Sequence, residues 1–130
     1  MKPTNERAPR VLLVEDERHI VESLSFVLER EGFEVSAAAD GESALERLRA
    51  ERPDVLVLDV MLPKLGGLEV LKLVRADAGL RTLPVVVLTA RGRPHDRRMA
   101  EEIGVEAFMT KPFANQDVGD AVRRLAATRV

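Results

Sequence analysis

The chain contains no cysteine, and its sequence has no segment typical of secretion or membrane insertion. Without cysteine, neither a disulfide framework nor a thiolate metal site can form. The first ten residues, MKPTNERAPR, lack the apolar stretch of a signal peptide, and no apolar run approaches the length needed to span a membrane. We therefore expect a cytoplasmic protein that does not bind a membrane.

The sequence also lacks the features of a nucleic-acid-binding domain. Such domains usually carry a basic face, and single-stranded nucleic acid is commonly bound on stacked aromatic rings. Here the formal net charge is −2, acidic and basic residues are interspersed, and the only aromatic residues are four phenylalanines. We therefore expect no nucleic-acid partner for this chain.

Short apolar runs alternate along the chain with segments whose apolar residues recur at helical spacing. The 130 residues, 45% of them hydrophobic, suffice for one domain, which we place at residues 10–130 after a flexible N-terminal segment, residues 1–9. The predicted strands are Val11–Val14, Phe33–Ala38, Val55–Val60, Pro84–Leu88 and Val105–Thr110. The predicted helices are Glu17–Glu31, Gly41–Glu51, Leu68–Ala78, Arg93–Ile103 and Asn115–Ala127. This alternation predicts an α/β fold with a mostly parallel, doubly wound sheet.

Polar residues lie at the carboxyl ends of four of the five predicted strands. Glu15 and Asp16 follow the first, Asp59 ends the third, and Thr89 and Lys111 follow the last two. In such sheets the ligand site lies outside the carboxyl ends of the strands, so these residues are candidates for a common site. Clustered carboxylates raise one another's pKa and destabilise the folded protein unless a cation joins them. Because the ligands are all oxygen atoms, the sequence predicts a Mg²⁺ site.

The same combination also has the groups needed for phosphoryl transfer. A carboxylate oxygen can act as the nucleophile toward phosphorus. A metal ion and a lysine ammonium can neutralise the charge on the transferring oxygens.

Four motifs, VLLVEDE, DVLVLDVMLPKLGG, PVVVLTARG and FMTKPF, occur in an order and at a spacing that resemble those of a known family. Over essentially its whole length the chain resembles the receiver domain of bacterial two-component response regulators. The resemblance implies a flavodoxin-like (βα)5 fold with strand order 2-1-3-4-5. It also implies signal transduction by phosphorylation, with no enzymatic activity beyond the domain's own aspartate phosphorylation and dephosphorylation.

The resemblance assigns roles to the residues around the predicted metal site. Asp59 would be the phosphoacceptor, Asp16 the main Mg²⁺ ligand and Glu15 a supporting ligand. Met61 would offer its backbone carbonyl to the metal. Arg91, at the rim of the site, would influence the lifetime of the phosphorylated state together with Met61.

The resemblance also implies a conformational switch. Lys111 would pair with the phosphoryl group, and Thr89 would move to hydrogen-bond it. Phe108 would turn inward on activation, and the Lys111–Pro112 peptide bond would be cis. A downstream protein would then bind the face formed by the fourth helix, fifth strand and fifth helix.

The phosphoryl donor implied by the resemblance is a histidine kinase or a histidine phosphotransferase. We expect it to dock near Arg18, His19 and Ile20 on the first helix and on the loop after the fifth strand. By contrast, the residue types alone give no reason to make His19 or His95 a ligand or a phosphorylated residue.

The motifs are most similar to receivers of the winged-helix transcription-factor subfamily. Because the chain ends with the predicted fifth helix, we expect either a stand-alone receiver or a receiver separated from a longer regulator. Glu101, Ala107 and Ala121 occupy positions where that subfamily has an apolar residue and a charged pair at its dimer interface. We therefore expect a monomer or a weak dimer.

Several other interpretations remain open at the level of sequence. Glu17 has the position of an ordinary acidic residue at a helix N-terminus. A receiver fold with a degenerate site, acting as a phosphorylation-independent interaction domain, is the main alternative function. A phosphohydrolase would need a second aspartate near Asp59, and a flavin or dinucleotide binder would need a glycine-rich turn after the first strand; the sequence has neither.

Overall fold

The computed structural model describes residues 8–90 and 93–127, and it contains the ten predicted elements in the predicted order. The strands are β1 (Arg10–Val14), β2 (Glu34–Ala38), β3 (Val55–Asp59), β4 (Val85–Ala90) and β5 (Ala107–Lys111). The helices are α1 (Arg18–Arg30), α2 (Gly41–Glu51), α3 (Gly67–Ala76), α4 (Pro94–Ile103) and α5 (Asn115–Ala127). Residues 1–7, which make up most of the predicted flexible segment, lie outside the described part of the chain.

The five strands form one parallel sheet in the order β2-β1-β3-β4-β5. The predicted doubly wound fold and its strand order are therefore confirmed. Because β1 and β3 are neighbours, with Val14 opposite Leu58, the residues that follow these two strands lie side by side. The strand order thus places the end of β1 next to Asp59.

Each face of the sheet is covered by its own layer of helices, because alternate residues of a strand point to opposite faces. Leu12 and Val14 of β1 pack in one cluster with residues of α2, α3 and α4. Val11 and Leu13 pack in the other cluster with residues of α1 and α5. All four residues are fully buried, which explains why β1 appears in the sequence as a continuous apolar run.

Local signals set the start of α2 and the end of α4. The Asp40 carboxylate accepts a hydrogen bond of 2.9 Å from the backbone N–H of Ser43 and so caps α2. This bond is the main reason why the pKa of Asp40 is lower than its usual value. Gly104 ends α4 with a backbone φ of 111°, in the region that favours glycine.

Several predicted boundaries differ from the observed ones: β3 ends at Asp59 and not at Val60, and β4 extends to Ala90 and not only to Leu88. Gly67 was predicted to belong to the loop, but it is the first residue of α3. β5 begins at Ala107 and not at Val105. In the described part of the chain, every helix is too short or too polar to cross a bilayer.

Candidate functional site at the carboxyl edge of the sheet

Three carboxylates converge where β1 and β3 end. Glu15 and Asp16 directly follow β1, and Asp59 is the last residue of β3. One oxygen atom of each residue lies within 4.8 Å of the others. Glu15 and Asp59 are only 1% and 2% exposed, whereas Asp16 faces solvent. The structure therefore brings together the acidic residues that the sequence predicted to meet.

Lys111, the last residue of β5, places its ammonium group against this cluster. Its Nζ lies 3.1 Å from Glu15 Oε1, 3.2 Å from Asp59 Oδ2 and 3.3 Å from Glu17 Oε1. Burial by itself lowers the pKa of Lys111, but the hydrogen bonds and charges of Glu15 and Asp59 outweigh it and raise that pKa above its usual value. Lys111 is therefore a permanent cation in the site.

Glu15 is strongly perturbed by its surroundings. Burial, followed by the hydrogen bond and the negative charge of Asp59, raises the pKa of Glu15 from 4.5 to about 7. The Glu17 N–H, 3.2 Å from Glu15 Oε2, and the Lys111 ammonium oppose this rise. Glu15 Oε1 is fully buried and, despite the ion pair with Lys111, makes no aligned hydrogen bond. A buried carboxylate oxygen with spare acceptor capacity favours an additional cation.

The donor set fits a hard divalent cation. Glu15, Asp16 and Asp59 offer only carboxylate oxygens, and the exposed Asp16 leaves one side open to water. Mg²⁺ prefers oxygen ligands and usually keeps several of its waters, so a few carboxylates at a solvent edge suit it well. These three residues are the ones that would hold the ion.

The Asp59 side chain is held at both of its oxygens. Oδ1 accepts a hydrogen bond of 3.0 Å from the backbone N–H of Met61, and Oδ2 contacts Lys111. The predicted contact of the Met61 carbonyl with a metal stays a prediction. At Gly67 an added Cβ would lie only 2.3 Å from the Asp59 carbonyl oxygen. Glycine therefore allows the start of α3 to pack directly against the end of β3.

Thr89 on β4 and Phe108 on β5, the two predicted switch residues, contact groups outside the cluster. The Thr89 side chain is buried, and its hydroxyl oxygen is 3.4 Å from that of Thr110 on β5. Phe108 is half-buried against the core layer under α2, α3 and α4, with the Arg97 guanidinium 4.9 Å from the centre of its ring. The movement expected of Thr89 and Phe108 stays a prediction.

The remaining sequence predictions concern the cis peptide bond, the rim residue and the dimer face. The Lys111–Pro112 peptide bond is cis, in the conformation that the resemblance implied. Arg91, the predicted rim residue, lies outside the described residues. On the predicted dimer face, Glu101 is exposed and Ala107 is half-buried. Ala121 is 1% exposed and belongs to the core, so it offers almost no surface to a second copy.

Glu17 is the site residue whose role sequence reasoning missed. It occupies the N-cap position of α1, as predicted, but its side chain makes no capping hydrogen bond. Instead, its carboxylate contacts Lys111 at 3.3 Å and His19 Nε2 at 3.6 Å. Lys111 lies 94 positions away in sequence, so no local pattern could have indicated this contact.

A groove of about 450 Å³ opens beside the acidic cluster. Ile20 of α1 and Pro112 and Phe113 of the β5–α5 loop supply apolar walls. Glu17 and Lys111 also line the groove, and their ion pair lies between it and the carboxylates of Glu15 and Asp59. The residues predicted for donor docking on α1 thus include two that line this groove, Ile20 and its neighbour His19.

Comparison with known proteins places this geometry in a family. Residues 11–123 match the response regulator receiver domain. The chain is 42% identical over 116 residues to the alkaline phosphatase synthesis transcriptional regulatory protein PhoP of Bacillus subtilis, covering 89% of this chain and 48% of that protein. It is 44% identical over 111 residues to the phosphate regulon transcriptional regulatory protein PhoB of Klebsiella pneumoniae, covering 85% and 48%. The chain therefore spans about half the length of these curated relatives.

A solved structure agrees with the sequence matches. The chemotaxis response regulator CheY4 of Vibrio cholerae superposes with a TM-score of 0.84 at 30% sequence identity, covering 92% of this chain and 99% of that one. The family match extends over most of the chain, and it includes Glu15, Asp16, Asp59 and Lys111. The chain is a response regulator receiver domain of the two-component type, and it belongs to that family.

Proposed function

We propose that this receiver domain accepts a phosphoryl group on Asp59 in a Mg²⁺-dependent reaction. The observation that carries the proposal is the Asp59 carboxylate, 2% exposed, with Oδ2 3.2 Å from the Lys111 ammonium and with Glu15 and Asp16 beside it. Asp59 provides the nucleophile and Lys111 a fixed cation, and the carboxylates beside them provide ligands for a second cation.

The donor would be the phosphohistidine of a histidine kinase or a histidine phosphotransferase. An Asp59 oxygen attacks the phosphorus atom while the bond from phosphorus to the imidazole nitrogen breaks. The electron pair of that bond returns to the nitrogen, and the product is an aspartyl phosphate. The chemistry is confined to the domain's own side chain, so the protein has no separate substrate to turn over.

Residues of the chain position each group for this step. The Met61 N–H fixes the direction of the Asp59 carboxylate, and Lys111 stands where it can pair with oxygens of the phosphoryl group. Mg²⁺ held by Glu15, Asp16 and Asp59 would supply further neutralisation of the phosphoryl charge. Burial of the site strengthens these interactions compared with water.

Phosphorylation would then change the surface on the β4–β5 side of the domain. The new group carries roughly −2 charge, which attracts Lys111 and the Thr89 hydroxyl. Movement of Thr89 would leave space for Phe108, which starts half-buried beneath Arg97. A downstream protein that binds α4, β5 and α5 in this second arrangement would shift the population toward it. The poorly accessible Ala121 favours a monomer or a weak dimer over a tight dimer on that face.

Binding of beryllofluoride, a phosphoryl mimic, tests the proposal without the complication of hydrolysis. We expect Mg²⁺ and beryllofluoride together to shift the backbone NMR signals of Thr89, Phe108 and Lys111. The Asp59→Asn variant should show no such shifts, because its amide cannot coordinate beryllium as a carboxylate does. Shifts of equal size in the variant, or no shifts in the wild type, would contradict the proposal.

A further inference from the structure

The Lys111 ammonium is already in contact with three carboxylates. An ammonium group has three donors. The Lys111 ammonium donates hydrogen bonds to Asp59 Oδ2 at 3.2 Å and Glu17 Oε1 at 3.3 Å, and it forms an ion pair with Glu15 Oε1 at 3.1 Å. An arriving phosphoryl oxygen must therefore compete with these carboxylates for the positive charge of Lys111.

The three partners differ in how easily they can leave. The Glu15 and Asp59 side chains are 0% and 2% exposed, and a carboxylate separated from its cation inside the protein is strongly destabilised. Asp59 is also the group that receives the phosphoryl group. The Glu17 side chain is 47% exposed and can turn into water, which solvates its charge at little cost.

The backbone of Glu17 is fixed independently of its carboxylate. Its N–H donates to Glu15 Oε2, and its carbonyl accepts from the N–H groups of Ile20 and Val21. The side chain makes no cap of α1. Glu17 can therefore exchange its partner without disturbing the start of the helix.

From this geometry we propose that Glu17 is an internal competitor for Lys111, which lowers the affinity of the site for a phosphoryl group until it is displaced. Glu17 acts through Lys111 and is thus a positioning residue. It also lines the apolar groove, where a docked protein donor would touch it, whereas a small phosphodonor would not fill the groove. The inference rests on the proposed phosphoacceptor function and extends it.

The Glu17→Gln variant tests the proposal in the 130-residue chain with acetyl phosphate and Mg²⁺. We expect its initial rate of phosphorylation to be about three- to tenfold higher than that of the wild type, since an exposed ion pair and one unit of negative charge are removed. The matched control is Glu22→Gln on the same helix, whose exposed side chain pairs with Arg18, 3.8 Å away. The control should react at the wild-type rate.

Two further readouts separate competition for Lys111 from a general effect of charge or structure. The rate advantage of Glu17→Gln should shrink between about 50 mM and about 500 mM salt, because screening weakens the ion pair in the wild type. In lysine side-chain NMR, the Lys111 ammonium signal should shift in Glu17→Gln and not in Glu22→Gln. The chain has only four lysines, so the signals can be assigned.

The outcomes also separate this proposal from the proposed function. A Glu17→Gln rate equal to or below that of the wild type, or an unchanged Lys111 signal, would overturn the role of Glu17 while leaving phosphorylation intact. If the wild type takes no phosphoryl group, the proposed function fails. The lysine spectrum would still decide whether Glu17 holds Lys111.

Discussion

Replacing Lys111 with methionine is expected to lower the free energy of unfolding by about 3 kcal/mol near pH 8 in the presence of EDTA. Methionine keeps most of the side-chain length but removes the cation. Two buried carboxylates, Glu15 and Asp59, then face each other without a positive partner, and the loss of one partner from a buried ion pair is among the most costly substitutions.

The loss should depend on pH in a defined direction. The pKa of Glu15 is about 7 in the folded protein, so near pH 5 this carboxyl is already protonated and needs no cation. We therefore expect the destabilisation of Lys111→Met to be clearly smaller near pH 5 than near pH 8. Urea denaturation at the two pH values measures this difference.

Lys72→Met is the matched control for that measurement. Lys72 pairs with Glu69 at 3.6 Å on the surface of α3, and both side chains are about half exposed. Its replacement should change stability by less than about 1 kcal/mol at either pH. If Lys111→Met behaved in the same way, or lost equal stability at both pH values, the carboxylates would be solvated and the account of the site would be wrong.

Replacing Asp59 with asparagine is expected to have the opposite effect on the metal-free protein and to stabilise it by about 1–2 kcal/mol near pH 8. The substitution removes one of two adjacent buried charges. Lys111 keeps Glu15 and Glu17 as partners, so no cation is left unpaired. Thermal unfolding in EDTA measures the change.

The pH dependence of this gain follows from Glu15. Its pKa is higher when folded, about 7, than its ordinary value of 4.5, so the folded state binds the proton more tightly. The stability that this proton provides is complete below about pH 4.5 and disappears as the pH rises through about 7. Asp59 contributes to the raised pKa through its charge and hydrogen bond, so Asp59→Asn should flatten the decline between about pH 5 and about pH 8.

Mg²⁺ should reverse the order of stability. A ligand that binds only the folded state at 100 times its dissociation constant adds about 2.7 kcal/mol. Because Asp59→Asn removes one of the three proposed ligands, millimolar Mg²⁺ should raise the melting temperature of the wild type more than that of the variant. Equal melting temperatures with and without Mg²⁺ across both proteins would argue against a clustered metal pocket.

The sequence predicted the fold well because the physical signals are local. Each buried strand appears as a short apolar run, and each helix shows apolar residues at helical spacing. The order of the strands could not be predicted from local signals, because nothing local specifies that β1 lies between β2 and β3. It came from the resemblance, and the structure confirmed it.

The candidate site was predictable to the extent that its residues follow strands. Asp16, Asp59 and Lys111 stand at carboxyl ends that a parallel sheet brings to one edge, so their proximity follows from topology. The contact between Glu17 and Lys111 joins residues 94 positions apart and depends on the directions of their side chains. No local sequence pattern indicates it. The burial of Ala121 could likewise not be predicted from the residue type, because alanine occurs both on protein surfaces and in cores.

The most direct test of the central claim is the intact mass of the protein after incubation with acetyl phosphate and Mg²⁺. The account predicts a gain of one phosphoryl group on the wild type, and no gain on Asp59→Asn or on the wild type treated with EDTA. Phosphorylation of Asp59→Asn to the same extent as the wild type would contradict Asp59 as the acceptor. An unmodified wild type that also fails to bind beryllofluoride would contradict the phosphoacceptor function itself.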